Sequence, residues 1–215
     1  HVLSHYPVPL IAIDNHLNTV FSNQAAQNLL APLHQTKLQN PESQCTGHAQ
    51  LTTLTHLARE EINLLKLCSQ ERQRQSLKQA LTRSQGTLNP KSEYFCLHTQ
   101  NQNLPLVISP SSSVPHIFQH YARDSVSWVF LLSTDYTQTL KSHPNFQNLK
   151  LSTAESELAA LLFEGKSLND IAEIRHVSKQ TVRKQLQSVL RKTKCENQET
   201  LIIFLFEHCI HYHLS

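Results

Sequence analysis

Between Ser152 and Ser178 the chain carries three helix-start signals so close together that only short helices with tight turns fit between them. Ser152 with Glu155 three residues on forms a capping box, in which each side chain satisfies an orphan amide of the other. The helix it opens carries Leu158, Leu161 and Leu162 and stops at Gly165. Ser167, with Asp170 three later, opens a second helix whose inner face is Ile171, Ala172 and Ile174. A turn at Arg175-His176-Val177 leads to Ser178, the cap of a third helix from about Lys179 to Lys192. Val182, Leu186, Val189 and Leu190 fall on one side of that helix, suited to packing on the first two. Gln180, Arg183, Lys184, Gln187, Arg191 and Lys194 fall on the other, at spacings of three and four.

Charge says what such a face is for. Net charge is only +3, but from Arg175 to Cys195 there are seven Lys or Arg and no acid, whereas residues 1–147 hold ten basic and eight acidic side chains. A local basic helix is the footprint of a phosphate-backbone partner. Arg pairs bidentately with guanine and Gln with adenine, while cations toward the helix ends neutralise phosphates. Thr181 and the free amides at the helix start are candidate phosphate donors. An isolated basic helix is as readily a solvated face. Three capped helices with a short middle member turn the reading toward double-stranded DNA.

Leu151-Ser152-Thr153-Ala154-Glu155-Ser156-Glu157-Leu158, Glu164-Gly165-Lys166-Ser167, Asp170-Ile171-Ala172, Val177-Ser178 and Thr181-Val182-Arg183 together resemble the LuxR-type helix-turn-helix, over about residues 150–206. The stretch IAEIRHVSKQTVRKQLQSVLRKT resembles a narrower branch, IAEIRGVSxxTVRTQLKxIxxKT, that joins this module to a PAS-like domain. The resemblance implies that Arg183, Lys184 and Gln187 face bases and that Lys179, Thr181 and Lys192 hold the backbone, with Gln180 and Arg191 on the same DNA-binding helix, 178–192. Gln185 stands where His is commoner, Arg175 for Leu, Lys194 for Gly and Asn197 for Arg; the first two fit the narrower branch. A fourth helix, about Asn197 to Ile210, includes six consecutive apolar residues, Leu201 to Phe206. Six in a row go right round a helix, so two faces need cover. The resemblance implies a homodimer through Leu201, Ile202, Leu205 and Phe206, reading a roughly two-fold operator; the competing cover is the N-terminal part of the same chain.

That N-terminal part reads as strand (Leu10–Ile13), turn at Asp14-Asn15, strand (Leu17–Phe21), and a short helix from Ala25 to Ala31 stopped by Pro32. After a loop at 34–47, Leu51, Leu54, Leu57, Ala58, Ile62, Leu65 and Cys68 recur at three and four, an amphipathic helix that continues, more polar, through Leu81. Three strands follow, Glu93–Thr99, Leu104–Ser109 and Val126–Ser133. This is an α+β order, an antiparallel sheet carrying helices on one face. Leu10 to Asp14 and Val20 to Ala26, with Asn at the junction, resemble the opening of a PAS domain. The expected architecture is an α+β PAS-like sensory and dimerisation domain (1–140), a linker (141–149), and an all-α four-helix LuxR-type domain (150–215).

Other classes lack their residues. A phosphoacceptor receiver needs paired acids and alternating strands and helices, and an acyl-homoserine-lactone pocket needs a Trp, Tyr and Asp set; Trp128 is the single Trp and sits in a core strand. There is no GxSxG, P-loop, HExxH or glycine fingerprint, and the three glycines leave little room for phosphate-cradling loops. Cys96, near His98, reads as a core thiol rather than a nucleophile. No catalytic residue and no cofactor is expected. Cys45 near His48, and His208, Cys209, His211 and His213, read as accidents of a His-rich composition rather than a metal site. Five scattered cysteines without a CxxC argue against disulfides and for a reducing cytoplasm. No apolar run approaches a membrane span, and no secretory pattern opens the sequence. The expectation is a bacterial, cytoplasmic transcription regulator that binds DNA as a dimer and is controlled by an unidentified small ligand or protein at the PAS-like domain. The alternative is a protein-interaction adaptor whose helix-turn-helix no longer binds DNA.

Overall fold

The computed structural model describes residues 3–6, 8–35, 63–86, 89–99, 103–114, 118, 126–132 and 140–213, with the side chains of 5, 34, 35 and 209–213 left aside. Five strands form one antiparallel sheet: β1 (Leu10–Ile13), β2 (Thr19–Ser22), β3 (Glu93–His98), β4 (Asn103–Pro110) and β5 (Ser127–Leu131), in the order β2-β1-β5-β4-β3. Strand β1 lies between the returning β2 (Ile11 opposite Ser22) and the last strand β5 (Ile11 opposite Val129), which is the central strand. Side chains alternate between the faces of a strand. Ile11, Ile13, Leu104, Leu106, Ile108, Val129 and Leu131 therefore line one face, and Leu10, Ala12, Val107, Trp128 and Phe130 the other.

The first face is covered by α1 (Gln24–Gln35), α2 (Leu64–Leu67) and α3 (Glu71–Ser84), through Ala26, Leu30, Leu64, Leu67, Leu77, Ala80 and Leu81. Helix α1 runs past Pro32 rather than stopping there. Pro32 lies in the last turn, where its missing N–H breaks a single helical hydrogen bond and the remaining carbonyls are free anyway. The long helix expected from Leu51 lies outside the described residues as far as Ile62. Beyond it the helix is broken, because Asn63 caps α2 (Leu65 N to Oδ1, 3.0 Å) and Cys68 turns to extended backbone before α3. Asn23 is fully buried at the start of α1: its Oδ1 accepts from Leu10 N (3.0 Å) and Ala26 N (2.9 Å), and its Nδ2 donates to Tyr6 O (3.0 Å) and Val8 O (2.8 Å).

Helices were expected on one face of the sheet; both are covered. The second face takes Phe118 and α8 (Gln198–His213); α8 and the short α4 (Pro144–Gln147) packed on it belong to the C-terminal part together with α5 (Thr153–Phe163), α6 (Leu168–Ile174) and α7 (Lys179–Thr193). Two buried faces explain why β1 and β5 read as unbroken apolar runs. Phe130 of β5 meets Phe206 of α8 with ring centroids 4.7 Å apart, and Ser92 donates to Glu207 Oε1 at 3.1 Å. The segment expected as a linker forms α4, capped by His143 Nδ1 (3.2 Å from Asn145 N), with Phe146 buried. Asn145 Nδ2 reaches the carbonyl of His208 at 3.1 Å and ties α4 to α8.

Candidate nucleic-acid interface

All three helix starts form as local chemistry dictates. Ser152 Oγ accepts from Glu155 N (3.3 Å) while Glu155 Oε2 accepts from Ser152 N (2.7 Å), and Ser167 and Asp170 repeat the exchange at 3.2 and 3.0 Å. Ser178 Oγ accepts from Thr181 N at 3.0 Å. Gly165 closes α5 with a φ of 76°, and a Cβ there would meet the ring of Pro105 on β4 at 3.1–3.2 Å. Glycine is needed twice over at this point, for the left-handed backbone and for the approach to the sheet.

Helix α7 buries Val182 and Val189 and half-buries Leu186 and Leu190, against α5 and α6. Ile174, expected on the inner face of α6, is 51% exposed although it stands one turn after the buried Ile171; it is the last residue of the helix, where the chain turns toward α7. Lys179, Gln180, Thr181, Arg183, Lys184, Gln187, Arg191 and Lys194 are all exposed on α7 and its cap. Lys179, Gln180, Arg183, Lys184 and Gln187 make no hydrogen bond or ion pair among the described residues, which leaves their donors for a partner.

Besides a long contact from Arg191 Nη2 to Ser188 Oγ (3.5 Å), two cations of the basic stretch are engaged inside the module. Lys192, expected on a phosphate, donates from Nζ to Glu155 Oε2 (2.6 Å) and to the carbonyl of Lys150 (3.2 Å). Burial alone would raise the Glu155 carboxyl. Hydrogen bonds from the Lys192 ammonium, the Ser152 N–H and the Ser188 and Ser152 hydroxyls outweigh it and hold the group down at about 2. The second is Arg175, whose side chain is only 9% exposed: its Nε lies 3.1 Å from Glu157 Oε2 and its Nη1 donates to Gln185 Oε1 at 2.7 Å. Arg175 and Gln185 stand out in the sequence only as two departures that fit the narrower branch, and nothing in the sequence says that they touch.

Lys194, where glycine is usual, takes the left-handed conformation itself (φ 58°) and ends α7. Asn197 is a helix cap, accepting from Thr200 N at 2.9 Å, which accounts for its presence where Arg is commoner. The four residues expected to make a dimer, Leu201, Ile202, Leu205 and Phe206, are buried (0–3% exposed) in a core shared by the helices and the sheet. Of the rival sites, the Cys96 thiol is pushed up by burial, against a lowering hydrogen bond with Tyr94, which is the reverse of what a nucleophile needs. His98 Nδ1 lies 2.7 Å from Asn103 Oδ1. No group of three His, Cys, Asp or Glu side chains among the described residues could hold a metal ion, and no described helix is long and apolar enough to cross a membrane.

The arrangement of three capped helices, with the third presenting a basic and amide face, coincides with a family match. Residues 149–205 fit the family model described as bacterial regulatory proteins, luxR family. They form a LuxR-type helix-turn-helix domain. Within the LuxR-type module, α6 and α7 are the helix-turn-helix pair, and the match ends at Leu205, inside α8. No curated protein is significantly similar to the chain as a whole. Similar solved structures include a phage VqmA in complex with DPO, at 15% identity and a TM-score of 0.36, covering 96% of this chain and 85% of that one. Another is the Vibrio cholerae VqmA dimer described in the absence of target DNA, at 17% identity and a TM-score of 0.33, covering 96% and 85%. These superpositions are loose, and the likeness extends no ligand or partner to this chain.

Proposed function

We propose that the chain is a transcription regulator that binds double-stranded DNA as a homodimer, with α7 of each copy in the major groove of a roughly two-fold operator. The observation that supports this most is the exposed, unengaged face of α7 on a LuxR-type module. Arg183, Lys184 and Gln187, at mid-helix, are the base readers. Lys179, Gln180, Thr181 and Arg191 hold the sugar–phosphate backbone, and Lys194 adds a cation at the end of the helix. Lys192 reaches phosphate only by giving up Glu155. The division into a PAS-like domain (1–140), a connecting segment (141–149) and the module (150–215) remains our reading, with the sheet domain as receiver of a small ligand or protein signal. The core shared by sheet and module supports that reading, because a change in either domain is felt by the other.

Selection of fragmented genomic DNA with the full chain tests it, followed by titration of the enriched sites at several salt concentrations. A short two-fold sequence should emerge, bound by two copies, with affinity falling steeply in salt and lost in the Arg183→Ala, Lys184→Ala double variant. Weak binding indifferent to that change would instead mean that a missing ligand holds the protein inactive or that the chain is the adaptor.

A further inference from the structure

Lys192 is expected on a phosphate and Arg175 in the turn before α7, yet both are drawn into contacts that tie α7 to α5. Glu155 and Glu157, two residues apart in α5, each anchor one of them: Glu155 holds Lys192 directly, and Glu157 holds Arg175, which in turn holds Gln185. Gln185 and Lys192 are seven residues apart in α7. Seven residues make two turns to within about 20°, so the two holds lie along one line of the helix, about 10 Å apart. Arg183 and Gln187 lie two positions either side of Gln185, hence about 160° away on the opposite face. The apolar contacts of Val182 and Val189 form a second line, about 60° from the first. A helix held along two lines cannot roll about its axis. With the polar line cut, a roll of about 20° moves a helix surface of roughly 5–6 Å radius by about 2 Å, enough to break a base hydrogen bond.

Building on the DNA-binding reading, we propose that Arg175, bridging Glu157 and Gln185, is a positioning residue that sets the roll of the recognition helix and so its base specificity, without touching DNA. Its guanidinium is buried and doubly engaged, so its charge contributes nothing to counterion release. Gln185 acts through Arg175 rather than on a base.

The test uses the full chain and the operator obtained by selection, with a scrambled duplex of equal length as the non-specific probe. Affinities for both are measured at several salt concentrations for wild type, Arg175→Leu, Gln185→Ala and the double variant, with each variant's fold checked by circular dichroism. Operator affinity should fall about tenfold, the cost of mis-set base contacts. Scrambled-duplex affinity and the salt slope should stay at wild-type values, and the double variant should lose no more than either single one. Where Arg175→Leu does not fold, Gln185→Ala, which removes only a half-exposed amide, carries the same comparison. Three outcomes overturn the proposal: an unchanged ratio of operator to scrambled affinity, a salt slope reduced by about one in Arg175→Leu, which would mark a phosphate contact, or additive losses in the double variant. Failure of the DNA-binding reading looks different, since wild type itself would then enrich no sequence.

Discussion

Asn23 uses both its amide hydrogens and both acceptor positions of its oxygen to join the incoming chain, β1 and α1. Asn23→Ala leaves those buried backbone groups unpaired, and the expected loss is on the order of 3 kcal/mol. Asn23→Asp should fare no better, since it sets a carboxylate oxygen against the carbonyls of Tyr6 and Val8. Urea unfolding of the two variants checks this; a midpoint within error of wild type would mean the network is not stabilising. Glu155 supports a prediction in pH. Its carboxyl titrates at about 2 in the folded chain against an ordinary value of 4.5, so its contribution to stability is present above 4.5 and is lost as pH falls toward 2. Chemical unfolding across that window should show a shallower decline for Glu155→Gln than for wild type. Parallel curves would show that the Lys192 pair does not stabilise the fold. The caps at Ser152, Ser167 and Ser178 were legible in the sequence because cap and partner stand three residues apart. The Arg175–Gln185 contact was not, because nothing local says which way a turn residue will point once three helices have packed.

Among the elements, the end of α7 carries a conflict between backbone and surface. Lys194 sits at φ 58°, where an L side chain costs about 1–2 kcal/mol relative to the right-handed well and glycine costs little. Lys194→Gly should therefore raise stability by about 1 kcal/mol, after allowing for the greater freedom of glycine in the unfolded chain. It should also weaken DNA binding, uniformly across sequences, by removing a cation. Thermal melting and a salt titration read the two effects separately; a destabilised variant would contradict the account of the cap. Strands were legible through their apolar runs, and β2 begins at Thr19 rather than Leu17 because Leu17 itself turns through a positive φ (65°). The extent of α1 past Pro32 was not legible, since a proline in a last turn and a proline just beyond a helix look alike along the chain. For α8 the sequence indicated that two faces needed cover, and the choice of cover lay in tertiary packing.

At the scale of the whole molecule the choice fell on the chain's own sheet, and this bears on how two copies meet. Leu201, Ile202, Leu205 and Phe206 cannot be buried beneath β3 and β5 and also face a second copy, so pairing through them requires the module to leave the sheet. Phe130 offers a way to weaken that contact from the sheet side, with α8 left intact. Phe130→Leu keeps an apolar side chain in the strand but removes the ring that meets Phe206, an interaction worth about 1 kcal/mol beyond area burial. If α8 is the pairing helix, the released population rises by the same free energy. Both copies must be released to pair, so self-association measured by sedimentation should then strengthen by the square of about fivefold, roughly thirtyfold, and Phe130→Leu should bind a two-fold operator more tightly at equal protein concentration. If Phe130→Leu is less stable yet associates as wild type does while still placing two copies on the operator, the dimer is made elsewhere. The helix around Leu201 to Phe206 would then be a strut between module and sheet, with Leu201, Ile202, Leu205 and Phe206 covered within one chain and Ile203 and Phe204 half-buried.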